Sequence, residues 1–178
     1  DRWMFDDKWK WTEEDKIPLP GYRHIMRAHH GTYWLNYRHK LALDNIRRQC
    51  ALSVHSGLQG VSMFGEGSPF HANVEFNYLA FEYFAEHPMA ALDDFVADVM
   101  APRLGGMDAA WQYIEFEAAV DAPEHIPAAI AAIVRRLPQL HQPEAERRWL
   151  WLGSYLGSFL WEAQIRARSK NSNVFQER

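Results

Sequence analysis

The sequence has little that favours disulfide bonding, membrane insertion or nucleic-acid binding. Its 178 residues include one cysteine, Cys50, so the chain has no internal disulfide and no cysteine-based metal site. No apolar run approaches the roughly 20 residues that cross a bilayer, and no basic segment with an apolar one after it suggests a signal peptide. The net charge is -4, with 19 Lys and Arg against 23 Asp and Glu. We therefore expect no nucleic-acid or membrane partner, and a cytoplasmic or secreted protein.

Aromatic residues are abundant, at 14% of the chain, with eight Trp. So much aromatic surface must be buried, bind a flat ligand or face a partner. Trp111, Trp149 and Phe159 recur within helical apolar stripes, which predicts that they pack in a core. Five others fall outside any strong stripe and can form either a platform for sugar rings or an interface with another chain: Trp3, Trp9, Trp11, Tyr33 and Trp34.

The first half of the chain alternates between short apolar runs and an amphipathic pattern. Residues 22–28 and 58–64 each predict a strand, the second one buried on both faces as in parallel sheets. The spacing of Leu43, Ile46, Cys50 and Val54 predicts an amphipathic helix over residues 35–55, and a further helix is expected over 73–86. The fold class expected is therefore mainly α with two short parallel strands.

From residue 87 onward the pattern is helical. Successive apolar stripes are interrupted by Gly105-Gly106, by Pro123 and by Pro138, which are typical helix terminators. The last and longest helix, expected over 146–168, carries apolar side chains on two sides. Its second side holds Trp151, Tyr155 and Trp161.

The densest polar segment runs from Gly65 to Tyr78, directly after the second strand. Loops at the carboxyl ends of parallel strands commonly hold active sites, because strand ends and helix N-termini converge there. Glu66 and Glu75 are candidate catalytic carboxylates, since glycoside hydrolysis uses one carboxyl as acid and another as nucleophile or base. We take His71 and Asn77 as candidate substrate-binding residues in the same segment. The simpler alternative is that Glu66 is a solvated loop residue and that Glu75 with Asn77 caps a helix.

A resemblance to a known enzyme family rests on this region. The stretch from about Tyr33 to Ala119 resembles the end of a bacterial (β/α)8 glycoside hydrolase, through the run from Gly57 to Pro69, the segment 77–81 and the pair His87-Pro88. The resemblance implies that residues 58–64 form the last barrel strand, with Glu66 at its catalytic end. It also implies that residues 1–86 are the end of an α/β barrel and that residues 87–178 are a C-terminal helical extension, folded as a bundle.

These observations lead to a set of functional expectations. A barrel needs about 250 residues, so we expect the remainder of the same polypeptide, or another chain, to complete this enzyme. The substrate expected is a carbohydrate, and His29, Tyr33 and Trp34 are further candidates for a sugar subsite. No metal is expected, because the histidines lack a His-Glu-x-x-His pattern, and no cofactor is expected, because Gly65-x-Gly67 lacks the third glycine and the spacing of a dinucleotide fingerprint. The alternative is a non-catalytic helical interaction module that binds a partner through the two-sided helix 146–168.

Overall fold

A computed structural model describes residues 21–29, 39–64 and 71–171. The chain divides into two compact units, Asp1–Met100 and Ala101–Arg178. The described residues are mainly helical with two short parallel strands, which confirms the coarse fold prediction. The elements of the first unit are β1 (Ile25–His29), α1 (Leu43–His55), β2 (Gly60–Phe64), α2 (Ala72–Glu86), α3 (Leu92–Phe95) and a π-helical turn (Val96–Met100).

The two strands of the first unit pair in parallel, with Ile25 opposite Gly60 and His29 opposite Phe64. Successive side chains of a strand point to opposite faces, and the two faces differ here. Met26 is buried, whereas Ile25 is 63% exposed and Ser62 on β2 is also exposed. The prediction that β2 is buried on both faces is therefore wrong for the described part of the chain, which covers one face of the sheet.

Helix α1 connects the strands and packs against both of them and against α2. Its buried side is formed by Leu43, Ile46 and Cys50, as the apolar spacing predicts, although Val54 at the end of that stripe is half exposed. The predicted start at residue 35 is wrong for residues 39–42, which are not helical. A right-handed helix cannot run through His39, because its φ of 67° lies in the left-handed region, and Ala42 directly before α1 also has a non-helical φ of -123°.

The second unit is built from helices of very different lengths. They are α4 (Ala101–Leu104), α5 (Met107–Glu117), α6 (Ile126–Arg136) and α7 (Pro143–Asn171), with short 3-10 turns at Ala118–Asp121, Pro123–His125 and Leu137–Gln139. Gly105 and Gly106 separate α4 from α5, and both have positive φ, of 98° and 122°. A β-carbon on Gly105 would also lie 3.3 Å from Leu140 Cδ2, so the predicted terminator has both a conformational and a packing reason.

Trp149 lies at the centre of the second unit. It is 0% exposed, as the helical stripe predicts, and its Nε1 donates to the carbonyl oxygen of Leu104 at 3.1 Å. The ring of Tyr113 meets it edge-on at a centroid distance of 5.3 Å, and the guanidinium carbon of Arg136 lies 5.0 Å from its ring centroid. This one side chain therefore ties α4, α5 and α6 to α7.

Within the described residues, no helix is both long and apolar enough to cross a membrane.

Candidate functional site

The carboxyl ends of β1 and β2 lie side by side. This follows from the parallel register, in which the last residues of the two strands, His29 and Phe64, are paired. The chain leaves β1 towards α1 and leaves β2 towards α2, so both connecting loops start from the same edge of the sheet. We call this the carboxyl edge and treat it as the candidate functional site, because such edges collect loop side chains in parallel α/β folds.

The ends of these two loops meet through a pair of histidines. His39 is at the end of the loop before α1, and His71 is the residue directly before α2. Their imidazole rings stack, with centroids 4.1 Å apart and planes inclined by 19°. The two residues are 32 positions apart in sequence, so this contact joins the residues just before α1 to the residue just before α2.

His39 makes this contact from an unfavourable backbone conformation. It is the one residue other than glycine with positive φ among the described residues. The left-handed conformation costs roughly 1–2 kcal/mol for a residue with a β-carbon, and glycine adopts it without that penalty. Sequence reasoning missed His39, because no local pattern marks a left-handed histidine.

Asn77 fastens the same loop to α2 by two hydrogen bonds. Its Oδ1 accepts from the backbone N–H of Ala42 at 2.8 Å, and its Nδ2 donates to the carbonyl oxygen of Lys40 at 2.9 Å. The residue is only 1% exposed. These bonds join positions 35 and 37 residues apart, so Asn77 holds the residues that follow His39 against the helix that His71 precedes.

Glu75 lies in the first turn of α2 and is half buried. Its backbone N–H donates to the carbonyl oxygen of His71 at 2.9 Å, which is the first hydrogen bond of the helix. A carboxylate in the first helical turn is stabilised by the positive end of the helix dipole. The structure therefore places Glu75 one helical turn after His71, as the spacing of four residues implies.

The remaining predicted site residues fall outside what the structure describes. Glu66 belongs to residues 65–70 and Tyr33 and Trp34 belong to residues 30–38, none of which are described. His29 is described as the last residue of β1, but its side chain is not. Of the predicted residues, the structure describes the side chains of His71, Glu75 and Asn77. It joins His71 to His39 by the ring stack and Asn77 to the backbone of Lys40 and Ala42, and it places Glu75 one helical turn after His71.

Two further side chains in the described residues could carry chemistry, a thiol and a phenol, and burial raises the pKa of each. Cys50 is buried in α1, and burial raises the pKa of its thiol to about 11. In the second unit, burial first and then the nearby carboxylates of Glu117 and Asp121 raise the pKa of Tyr155 well above its usual value. No group of three or more His, Cys, Asp or Glu side chains in the described ranges is arranged to hold a metal ion.

Helix α7 carries an aromatic ladder and an exposed tryptophan. Trp151 stacks on Tyr155 at a centroid distance of 4.9 Å, and Tyr155 meets Phe159 edge-on at 5.0 Å. All three are half buried, whereas Trp161 is 67% exposed. The second apolar side of the helix, expected from the sequence, is therefore only partly covered.

Comparison with known proteins adds no relative: no family model, no curated protein and no solved structure matches this chain significantly.

Proposed function

We propose that the chain carries part of the active site of a glycoside hydrolase, at the carboxyl edge of the β1–β2 sheet. The observation that supports this most is the meeting of the two loops, through the stacked rings of His39 and His71 and the bonds of Asn77. Such convergence at parallel strand ends is how (β/α)8 enzymes assemble catalytic residues from separate loops. The resemblance of residues 57–69 to the end of such a barrel gives the reaction class.

The roles we propose differ between the residues of the site. Glu66 follows the last residue of β2 by two positions and is proposed as one catalytic carboxylate, with Glu75 as the second. His71 is proposed to hydrogen bond sugar hydroxyls, and His29, Tyr33 and Trp34 to line a sugar subsite. Asn77 uses both ends of its amide on the backbone of Lys40 and Ala42, so we assign it to positioning the loop.

The proposal also includes a barrel architecture for the first unit and a helical extension after it. We propose that β1, α1, β2 and α2 are the last two units of a (β/α)8 barrel, and that the helices beyond residue 86 form its bundle-like extension. In a barrel each strand turns one face to the helices and one to the interior, and the described sheet has one covered face and one exposed face. Further strands, from the same polypeptide or from another chain, would cover Ile25 and Ser62.

Hydrolysis of a panel of para-nitrophenyl glycosides tests the proposed reaction. The assay uses the chain together with the polypeptide that completes the barrel. We expect this wild-type protein to release nitrophenol from at least one of these glycosides, and Glu66→Gln to lower kcat by about 100-fold or more, since acid–base groups contribute about that factor. Glu75→Gln should also lower it. Glu82→Gln is the matched control, because Glu82 is an exposed glutamate on the same helix. Absence of turnover with every glycoside, or equal loss in Glu82→Gln, overturns the proposal.

A second candidate function is a non-catalytic interaction module. The observation that favours it is the exposure of Leu150, Trp161 and Ile165 on α7. In this alternative, the partner is a second copy of the chain, which covers these side chains. Light scattering then shows association that rises with concentration and that Trp161→Ser weakens, whereas a monomer at every concentration contradicts it.

A further inference from the structure

We propose that His39 is a positioning residue, which sets the orientation of the His71 ring in the carboxyl-edge site. This inference rests on the proposed glycoside hydrolase function for its chemistry, and on the geometry of the described residues for the contact itself. His39 lies outside the segment to which the sequence pattern assigns chemistry, and its ring reaches that segment only through the fold.

The first argument is the conformation of His39. Its backbone is left-handed, a conformation that glycine adopts freely and that histidine adopts at a cost. A loop that needed only this turn would be more stable with glycine at this position. The imidazole ring is therefore what His39 adds over glycine at this position, and one contact that the ring makes is the stack on His71.

The second argument is how firmly the loop is held. Asn77 forms hydrogen bonds with the backbone just after His39 in sequence, at Lys40 and at Ala42. Asn77 lies on α2, the same helix that His71 precedes. Both rings of the stack are consequently attached to α2. His71 is attached directly, as the residue before the helix, and His39 is attached through the two part-buried hydrogen bonds that Asn77 makes to the residues after it. Such a frame limits how far one ring can move relative to the other.

The third argument concerns what the stack leaves to a ligand. A stacking distance of 4.1 Å excludes a sugar ring from the face of His71 that His39 covers. That face of His71 is therefore closed to C–H stacking, and the ring nitrogens at its edge are the groups that can hydrogen bond a sugar. Hydroxyl recognition by an imidazole depends on the direction of its ring edge, so a group that fixes the plane of His71 also fixes that direction.

The experiment compares variants of the full chain that separate backbone conformation from ring contact. His39→Gly keeps the left-handed turn and removes the ring, while His39→Phe keeps a ring that can stack but has no nitrogen. His141→Ala is the matched control, because His141 is an exposed histidine of the second unit. Each variant is measured for Tm, for the imidazole signals of His71 in proton–nitrogen correlation spectra, and for kcat/KM on the para-nitrophenyl glycosides. The His71 signals are assigned by their loss in His71→Gln.

We expect His39→Gly to melt no lower than the wild type, because the strained turn is relieved, yet to shift the His71 signals as the ring current of His39 is lost. Its kcat/KM should fall by about 10- to 100-fold, the order expected when a reacting or binding group is misplaced by an ångström. His39→Phe should recover most of the lost kcat/KM, and His141→Ala should match the wild type in all three measurements.

Two results overturn the inference. One is a His71 spectrum unchanged in His39→Gly, and the other is a kcat/KM in His39→Gly equal to that of the wild type. If the wild type cleaves no glycoside, the proposed function fails by itself. The spectra and the Tm values then still decide whether His39 orients His71.

Discussion

The imidazole rings of His39 and His71 stack with their centroids 4.1 Å apart, across 32 residues of chain. This contact joins the residues that precede α1 to the residue that precedes α2. It depends on a left-handed backbone at His39 and on the bonds that Asn77 makes to the following residues. The proposed function of the carboxyl edge and the stability of the residues around it therefore depend on the same few side chains, and each can be tested.

Asn77→Ala should destabilise the chain by about 1–3 kcal/mol, because it leaves the N–H of Ala42 and the carbonyl of Lys40 without their buried partner. Urea unfolding measures this loss. Glu82→Ala on the exposed side of the same helix should change the free energy of unfolding by less than about 0.5 kcal/mol. Equal effects of the two substitutions would show that the Asn77 bonds do not hold the loop.

The outline of the fold could be predicted from the sequence where short-range patterns decide it. Gly105-Gly106 ends a helix because two consecutive positive φ values cannot continue one, and the apolar spacing of α1 places Ile46 and Cys50 in the core. The π-helical turn Val96–Met100 and the start of α1 at Leu43 were not predicted. These depend on packing and on one unusual dihedral angle, which leave no periodic signal.

The sequence indicates a segment in which to look for a site, but not how its residues connect to the rest of the chain. The strand–loop–helix order indicated the segment that contains His71, Glu75 and Asn77. The partners of Asn77 lie 35 and 37 residues earlier in the sequence, and the stacking partner of His71 lies 32 earlier. No pattern in the neighbouring residues of a single sequence indicates contacts between positions this far apart. For this reason the sequence pattern alone predicts a ligand contact for Asn77 and gives no signal for His39.

Trp149→Phe should destabilise the second unit by about 1–3 kcal/mol. The substitution removes the hydrogen bond to the carbonyl of Leu104 and leaves a small cavity in a fully buried position. Trp161→Phe is the matched control, because Trp161 is 67% exposed, and it should change stability by less than about 0.5 kcal/mol. Thermal or urea unfolding of both variants measures the difference, and an equal cost at the two positions would contradict the central role of Trp149.

Gln49→Met should leave the free energy of unfolding within about 1 kcal/mol of the wild type. The substitution removes a buried acceptor that carries a desolvation cost, but it also removes the hydrogen bond that Nε2 donates to Asn45 Oδ1 at 3.1 Å. Gln49 is buried in α1, and its Oε1 accepts no hydrogen bond from the described residues. Gln49→Ala, which removes the same acceptor but leaves a cavity, should be less stable than Gln49→Met. Unfolding by urea compares the three proteins, and a Gln49→Met variant that is clearly less stable than the wild type would contradict this prediction.

Cys50 should make the stability of the chain depend on alkaline pH. Burial raises the pKa of its thiol from 9.0 to about 11, so the unfolded chain loses this proton at a lower pH than the folded chain does. The stability contributed by the protonated thiol is therefore fully present below about pH 9 and is lost as the pH rises to about 11. The destabilisation caused by Cys50→Ala should accordingly shrink over this range. A difference that stays constant with pH would contradict the prediction.

The most direct measurement of the central claim is a titration of the full chain with methyl glycosides and disaccharides, followed through the imidazole signals in proton–nitrogen correlation spectra. The account predicts that at least one sugar shifts the signals of His39 and His71 together, while those of the exposed His55 and His141 remain in place. No shift with any sugar, or shifts of His141 as large as those of His71, would contradict a carbohydrate site at the carboxyl edge.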